Sequence, residues 1–552
     1  MKLTIGALTQ TQTCISIAQS PVWAHGEAFD IREATIDSIH AALFTRITTC
    51  RGIVSSFISR VEQFNPIINA IITLNPQALD IADQIDLQLT AGNTTGALLC
   101  IPVLLKDNYD AAGMNTTGSC RGLVNNRPIS DAPAVKVFKD AGAIILGKAN
   151  LHELALEGIS VSSLGGQTVN PYDLTRTPGG SSGGSGAAIA ANLAVLGTGT
   201  DTVNSLRSPA SANSLFSFRP TRGLISRAGV IPISYTQDTL GAMARNLNDL
   251  AVALTVMSSI GYDPRDNTTA AIPPGVQCKD YSASLYSSSL KGLRLGLLDG
   301  FFNHTSSAET TPVNDVMDNI ISQLAEAGAV IVSVKETVYN APAIAATLDV
   351  QRYEYRELLD EYLNGPNAGG TPRPKSFNEL YKSGDFLVLP SQYEYVKTSF
   401  VSSTSNSSYF TVQRGIQNLT QALQATFLTN NLDAIIYPEQ KNLVVKIGSP
   451  SQSGRNGILA ALTGHPVVVV PAGFSPPSND APIGVPIGME ILGRPWSEGL
   501  LLNIAKHISE LVPARRMPPF ANQTAKTKSY SSVPVIRPNT KNIPAAYPHG
   551  VL

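Results

Sequence analysis

Apolar residues first recur along the chain at helical spacing. Ile36, Ile39 and Leu43 fall at i, i+3 and i+7, and Val54, Phe57, Ile58 and Val61 at i, i+3, i+4 and i+7. Each set puts its side chains on one face of a helix, so residues 28–92 are predicted to be helical. From about residue 98 the pattern changes. Leu98–Leu105 is a short apolar run that reads as a buried strand. Ala134–Ala141 reads as a helix and Ala143–Leu146 as the next strand. Gly186–Ala194 reads as a helix of small residues, followed by Val195–Leu196 leading into Gly-Thr-Gly-Thr-Asp. Such alternation predicts an α/β core with both sheet faces covered. The apolar stretch Gly457–Phe474 contains His465, Pro466 and Pro471. A bilayer span needs about 20 apolar residues without such breaks. A helix end, a turn and a buried strand are expected there, and no transmembrane segment. Residues 362–408, rich in Ser, Gly and Pro, show the least pattern and are expected to hold surface loops. The final 30 residues, with Pro534, Pro538, Pro544 and Pro548, are expected to be extended.

Charge removes several classes of partner. The 552 residues carry 40 Lys+Arg and 41 Asp+Glu, a net charge of -1, and only 15% are charged. An average soluble protein has roughly 25%. With no basic stripe, neither nucleic acid nor an anionic membrane surface is an expected partner. At 43% hydrophobic residues, a sizeable core is available. Length alone allows several domains. No repeat or long linker divides the chain, so residues 25–525 are expected to form one domain, with 526–552 as a tail.

Residues 1–24 resemble a secretory leader. Lys2 gives a small basic start and Val22-Trp23-Ala24 a small-residue cleavage site, although Thr9, Gln10, Thr11, Gln12 and Thr13 interrupt the apolar part. A disordered cytoplasmic extension is the competing reading. Glycosylation sequons at Asn93, Asn115, Asn267, Asn303, Asn406, Asn418 and Asn522 favour secretion modestly. Removal of Cys14 with the leader leaves Cys50, Cys100, Cys120 and Cys278, enough for two disulfides in any of three connectivities. There is no CxxC or HExxH spacing, so no metal site is expected.

The most unusual segment is Thr177-Pro178-Gly179-Gly180-Ser181-Ser182-Gly183-Gly184-Ser185-Gly186. As a flexible linker it would be low-complexity coil, yet it runs straight into an apolar helix. As a phosphate loop it lacks the terminal GK[ST]. The third reading is a tight catalytic loop, where glycines let the backbone approach a substrate. Upstream, Lys106 ends the apolar run. A buried lysine loses its charge readily and can then serve as a base, though a snorkelling lysine is commoner at a strand end.

Together these segments resemble the amidase signature family. The resemblance spans about residues 28–510. It extends through AGAIILGKANLHELA from Ala141, NPYDLTRTPGGSSGGSGAA from Asn170, FRPTRG from Phe218, TGHPVVVVPAG from Thr463 and GVPIGMEILGRPWSEGLLL from Gly484. It implies a mixed sheet of about eleven strands covered by helices, and hydrolysis of a small-molecule amide without a cofactor. It also implies a Ser-Ser-Lys triad. Ser205 stands at the nucleophile position and Lys106 at the general base. Ser181 stands at a bridging serine whose bond to Gly180 is cis. The backbone of Thr202, Val203, Asn204 and Ser205 forms the oxyanion loop, with Ser182, Asp201 and Arg207 in support. The chain departs from the family pattern where Val203 and Asn204 replace two glycines. If that loop needs positive φ, Val fits it poorly. Three outcomes follow: amide hydrolysis with a narrower acyl pocket, ester or acyl-transfer chemistry on the same triad, or binding without catalysis. The amidotransferase subunit that works on charged transfer RNA shares the motifs, and a secretory leader would exclude it. The oligomeric state stays open, a homodimer included. The sequon at Asn115 follows Lys106 closely; a glycan there would obstruct substrate, so this sequon is expected to be unused.

Overall fold

The computed structural model describes residues 29–285, 289–526 and 528–552, so the leader expected at residues 1–24 lies outside the described residues. The first layer is helical. Helix α1, Ile36–Phe44, starts at a capping box in which Thr35 and Ser38 bond each other's backbone. Helix α2, Cys50–Ile68, is capped by Thr49 and followed by strand β1, Ile71–Leu74, and helix α3, Ala78–Thr90. The strand was not expected within 28–92, because four residues between two helices carry little periodicity. It forms because the Asn65 carboxamide holds the turn before it: its oxygen accepts from the Ala70 and Ile71 N–H groups and its nitrogen donates to the Ile71 carbonyl.

The alternating part supplies the centre. Strands β2 (Pro102–Lys106) and β3 (Ile144–Ala149) flank helix α4 (Pro133–Asp140). A two-strand hairpin, β4 (Val161–Ser162) and β5 (Gly166–Gln167), leads to helix α5, Gly183–Ala190. Strand β6 (Leu196–Asp201), helix α6 (Arg207–Ala212), strands β7 (Phe216–Arg219) and β8 (Thr239–Ala244) and helix α7 (Leu247–Ser258) follow. The remaining strands are β9 (Arg294–Leu298), β10 (Val330–Val334), β11 (Ala434–Pro438), β12 (Val467–Phe474) and β13 (Pro486–Leu492). All but the hairpin join one sheet in the order β1-β3-β2-β6-β8-β7-β12-β13-β11-β9-β10. The sheet is mixed: β3, β2 and β6 run parallel towards one end, where β1 adds antiparallel to β3, and β11, β9 and β10 run parallel at the other, with antiparallel pairs between. The expected eleven-stranded α/β architecture is thus present.

Small residues let α5 lie at the centre. All eight of its residues are buried. A Cβ on Gly184 would sit 2.2 Å from the Asn150 carbonyl oxygen and 2.5 Å from that of Ala70, so only glycine fits. The 457–474 segment forms the expected helix (Ile458–Thr463), turn and strand β12. Residues 362–408 hold an irregular surface stretch at 365–376, as expected, and helices as well. They contain the helices Phe377–Lys382 and Tyr393–Val401, and Phe377 stacks edge-on against Tyr355 and Phe400. An irregular aromatic cluster of this kind gives no helical period to read. The tail turns along the surface: Asn539 N–H donates to Asn69, Tyr547 OH to the Ser449 carbonyl and Gly550 N–H to the Phe386 carbonyl. No helix among the described residues is long and apolar enough to cross a membrane.

One disulfide, Cys50–Cys100, ties the start of α2 to the turn before β2. Cys120 is a buried thiol rather than a member of a second bridge. The bridge spans 50 residues. A loop of that length gives a stabilisation of about 4 kcal/mol from chain entropy. Cys50→Ser is therefore expected to lower the denaturant midpoint markedly, as read by chemical unfolding. An unchanged midpoint would show that the bridge contributes nothing.

Candidate active site

Strands β2 and β6 are parallel neighbours, with Val103 opposite Leu196 and Leu104 opposite Gly197. Their C-terminal ends bring Lys106 beside Thr198, Thr200 and Asp201. The Lys106 N–H donates to Thr198 Oγ1 at 3.0 Å. Its Nζ donates to Ser181 Oγ at 2.8 Å and to Thr200 Oγ1 at 2.7 Å. Lys106 is fully buried, and no carboxylate lies within ion-pair distance of it among the described residues. The contrast with Lys148 is direct: that lysine is equally buried but pairs with Asp107 at 3.2 Å. Burial pushes the Lys106 ammonium down to about 7, against the opposing pull of Asp201 and Asp238.

Ser181 lies just before α5, and the Gly180–Ser181 peptide is cis. Gly179 and Gly183 are tethered by Ser160, whose hydroxyl donates to the Gly179 carbonyl and accepts from Gly183 N–H. The Ser182 N–H donates to the Ser205 carbonyl at 3.1 Å, so the glycine-rich loop and the 202–205 loop touch. The Ser205 hydroxyl itself takes part in no hydrogen bond among the described residues. The structure therefore joins Lys106 to Ser181 and places Ser205 alongside, but does not close a Ser181–Ser205 side-chain bond.

Each residue of the 202–205 loop is held from behind. Thr202 Oγ1 donates to Asp238 at 2.6 Å, and Gln237 Nε2 donates to the Thr202 carbonyl at 3.1 Å. The Arg207 guanidinium donates to the Val203 carbonyl. Asn204 Nδ2 donates to Glu439 Oε1 at 3.1 Å. None of the four residues takes a positive φ, so the loop as folded does not require the two glycines of the family pattern. No acceptor among the described residues occupies the N–H groups of Val203, Asn204 and Ser205. Backbone donors left free beside a serine suit a developing oxyanion.

Under the loop lies a buried charge network. Asp201 accepts from Arg207 Nε at 3.1 Å and from Arg219 at 2.7 Å, and Arg207 reaches Glu490 at 2.7 Å. Burial works against the Asp201 charge, but Arg207 and Arg219 overcome it and hold the carboxyl well below its ordinary range. Arg219, Glu490, Glu439 and Thr200 were not singled out from the sequence. Their signal is a lone polar residue inside or at the end of an apolar strand run, as in Pro-Ile-Gly-Met-Glu-Ile-Leu for Glu490.

A cavity of about 350 Å³ opens on Thr202, Val203 and Ser205. Leu156, Pro342, Asp349, Tyr395, Arg455 and Ile458 line its other walls. Lys106 and Ser181 do not line it. A larger cavity of about 730 Å³, beside Arg227 and Tyr362, contains none of Lys106, Ser181 and Ser205. Asn115 is exposed and lines neither cavity. The Asn115 amide donates to the Val124 carbonyl.

Gly457 closes the back of the loop. A Cβ there would lie 2.4 Å from the Val203 carbonyl oxygen and 2.5 Å from Asn204 Cβ. Gly457→Ala is therefore expected to displace the loop and lower kcat by about 10²-fold, the cost of an ångström-scale misplacement. Steady-state kinetics with unchanged kcat would show that the loop is not seated there.

The amidase family model matches residues 52–502. A glutamyl-tRNA(Gln) amidotransferase chain of Acinetobacter baumannii is 32% identical over 504 residues, covering 86% of this chain and 95% of the relative. A probable amidase of Arabidopsis thaliana is 32% identical, covering 89% of this chain and 92% of the relative. Among solved structures, native peptide amidase from Stenotrophomonas maltophilia superposes with a TM-score of 0.76 at 33% identity, covering 88% of this chain and 99% of the other. A buried lysine on a serine loop, on this sheet and with this match over most of the chain, places the protein in the amidase family.

Proposed function

We propose that the protein hydrolyses a carboxylic amide through an acyl-Ser205 intermediate. The observation that carries this reading is the Lys106–Ser181 hydrogen bond, made by a buried lysine with no ion-pair partner among the described residues to a serine on a loop that touches the one whose Ser205 borders the cavity. A neutral Lys106 takes the Ser181 proton while Ser181 takes that of Ser205, and Ser205 attacks the amide carbon. The N–H groups of the 202–205 loop stabilise the oxyanion. The proton returns through Ser181 to the leaving amine, and water then releases the acid by the same route. The Ser205 hydroxyl must turn onto Ser181 for this. Catalytic hydrogen bonds often close only when substrate binds.

The cavity size suits an acyl group of modest dimensions. The 33% identity to a peptide amidase makes peptide amides the first substrates to try. The test is labelling with a fluorophosphonate, read by intact mass and peptide mapping, alongside ammonia release from primary amides. One adduct on Ser205 with ammonia release is expected; no labelling would reject the reading. Faster acyl transfer to an added amine than to water would favour the transferase alternative. The Cys50–Cys100 disulfide supports an oxidising compartment, such as the secretory pathway, over the cytoplasm. N-glycans detected on the protein from its own host would support secretion.

A further inference from the structure

One of the two residues that depart from the family pattern, Asn204, is tied to Glu439, which the mechanism above does not use. Both side chains are buried at 1% exposure. Asn204 Nδ2 donates to Glu439 Oε1 at 3.1 Å. The other two polar atoms of this pair, Asn204 Oδ1 and Glu439 Oε2, are both buried with no hydrogen-bond partner. An ionised carboxylate only accepts, so it leaves the amide oxygen unpaired. A carboxylic acid donates one O–H, and that single proton satisfies both orphaned atoms.

We propose that Glu439 is held as the neutral acid and forms a two-point acid–amide pair with Asn204, fixing the loop that carries Ser205. The charge balance around it agrees. Asp201 and Glu490 face Arg207 and Arg219, two anions against two cations, and among the described residues no cation within ion-pair distance remains for Glu439. An unpaired buried carboxylate is costly, and the group takes a proton instead. Burial and the neighbouring Glu490 charge push its carboxyl well above the ordinary range, and the Asp201 charge pushes the same way. Asn204 and Arg207 pull it down. Tyr437, two residues earlier on β11, and Asn456, whose N–H donates to the Glu439 carbonyl, complete its surroundings. The Glu439 backbone is anchored, its N–H donating to the Gly488 carbonyl at 3.0 Å. Asn204 is thereby pinned to the sheet end while Gly457 leaves room for its Cβ. Glu439 is a positioning residue in this account. Its proton does what the family glycines do not need done: it holds a side-chain-bearing loop in a shape that keeps the N–H groups free.

This inference rests on the reading of residues 202–205 as the oxyanion loop, and its test separates the two. The probe is a fluorophosphonate, whose phosphonyl oxygen would occupy the same N–H groups. In wild-type protein the maximal labelling rate is expected to fall as pH rises into the alkaline range and Glu439 ionises. Glu439→Leu is expected to slow labelling on the order of 10²-fold, as for a lost oxyanion donor. Glu439→Gln keeps an acceptor and supplies an N–H to Asn204 Oδ1, so it is expected to restore most of that rate and to flatten the alkaline fall. Difference infrared spectra between neutral and alkaline pH, with Glu439→Gln as the reference, should show loss of a protonated carboxyl in wild type. Absence of that band overturns the proposal whatever Ser205 does. A band with an unchanged alkaline fall in Glu439→Gln, or with Glu439→Leu labelling at the wild-type rate, overturns the positioning role. Wild-type protein that never labels overturns the acyl-serine reading, while the infrared result still decides the proton.

Discussion

Replacing Ser205 by alanine is expected to lower amide hydrolysis by on the order of 10⁴-fold or more. The loss comes from removal of the only atom in this account that bonds to the acyl carbon. What remains is the contribution of the N–H groups of the 202–205 loop and of substrate binding, which do not depend on the hydroxyl. The fold should not notice the change. The hydroxyl makes no hydrogen bond among the described residues, and the side chain faces the cavity. The measurement is kcat on the best primary amide, with the denaturant midpoint as control. Retained activity would reject Ser205 as nucleophile. A lowered midpoint would show that the hydroxyl has a structural role.

The second large effect concerns Lys106 and has a pH signature. With its pKa near 7 rather than the ordinary 10.5, the lysine is neutral through the alkaline range and charged below about 7. Only the neutral amine accepts a proton. Activity is therefore expected to rise as pH increases through about 7 and to level off before any alkaline effect at Glu439. Lys106→Ala should cost on the order of 10²–10⁴-fold, the usual worth of a general base, and the limb near 7 should vanish with it. Lys106→Arg should be no better, since a guanidinium keeps its charge. Stability carries the matching sign. The folded state holds fewer protons at this site than the unfolded chain between about 7 and 10.5, so its destabilisation eases as pH rises through that window. A rate profile that keeps its limb near 7 in Lys106→Ala would assign that limb to another group.

Much of this site was legible because its residues lie at the ends of local patterns. Lys106 follows an apolar run and Asp201 ends Gly-Thr-Gly-Thr-Asp, so both stood next to a strand expected from the pattern, while the roles of Ser181 and Ser205 came only from the resemblance. The glycine-rich segment betrayed itself by running into a helix of small residues. What could not be read are partners supplied from far along the chain. Glu490 and Arg219 reach Asp201 and Arg207 only because β13 and β7 lie in the same sheet, and strand order is not written in periodicity. Glu439 follows β11 and meets Asn204 across 235 residues. The cysteines show the same limit: spacing left three pairings open, and Cys50 meets Cys100 because α2 packs beside the turn into β2. The expectation that Val203 would strain its loop used the wrong premise, since the backbone there never enters the left-handed region.

An unprotonated amine is ordinarily the first target of an electrophile, yet that of Lys106 has no exposed surface and does not border the cavity. An acylating compound arriving from solvent meets the Ser205 oxygen before that nitrogen. Amine-directed reagents should thus reach the surface lysines and Lys441 at the cavity wall but leave Lys106 unmodified, while carbamates or phosphonates react at Ser205, a chemoselectivity set by depth rather than by intrinsic reactivity.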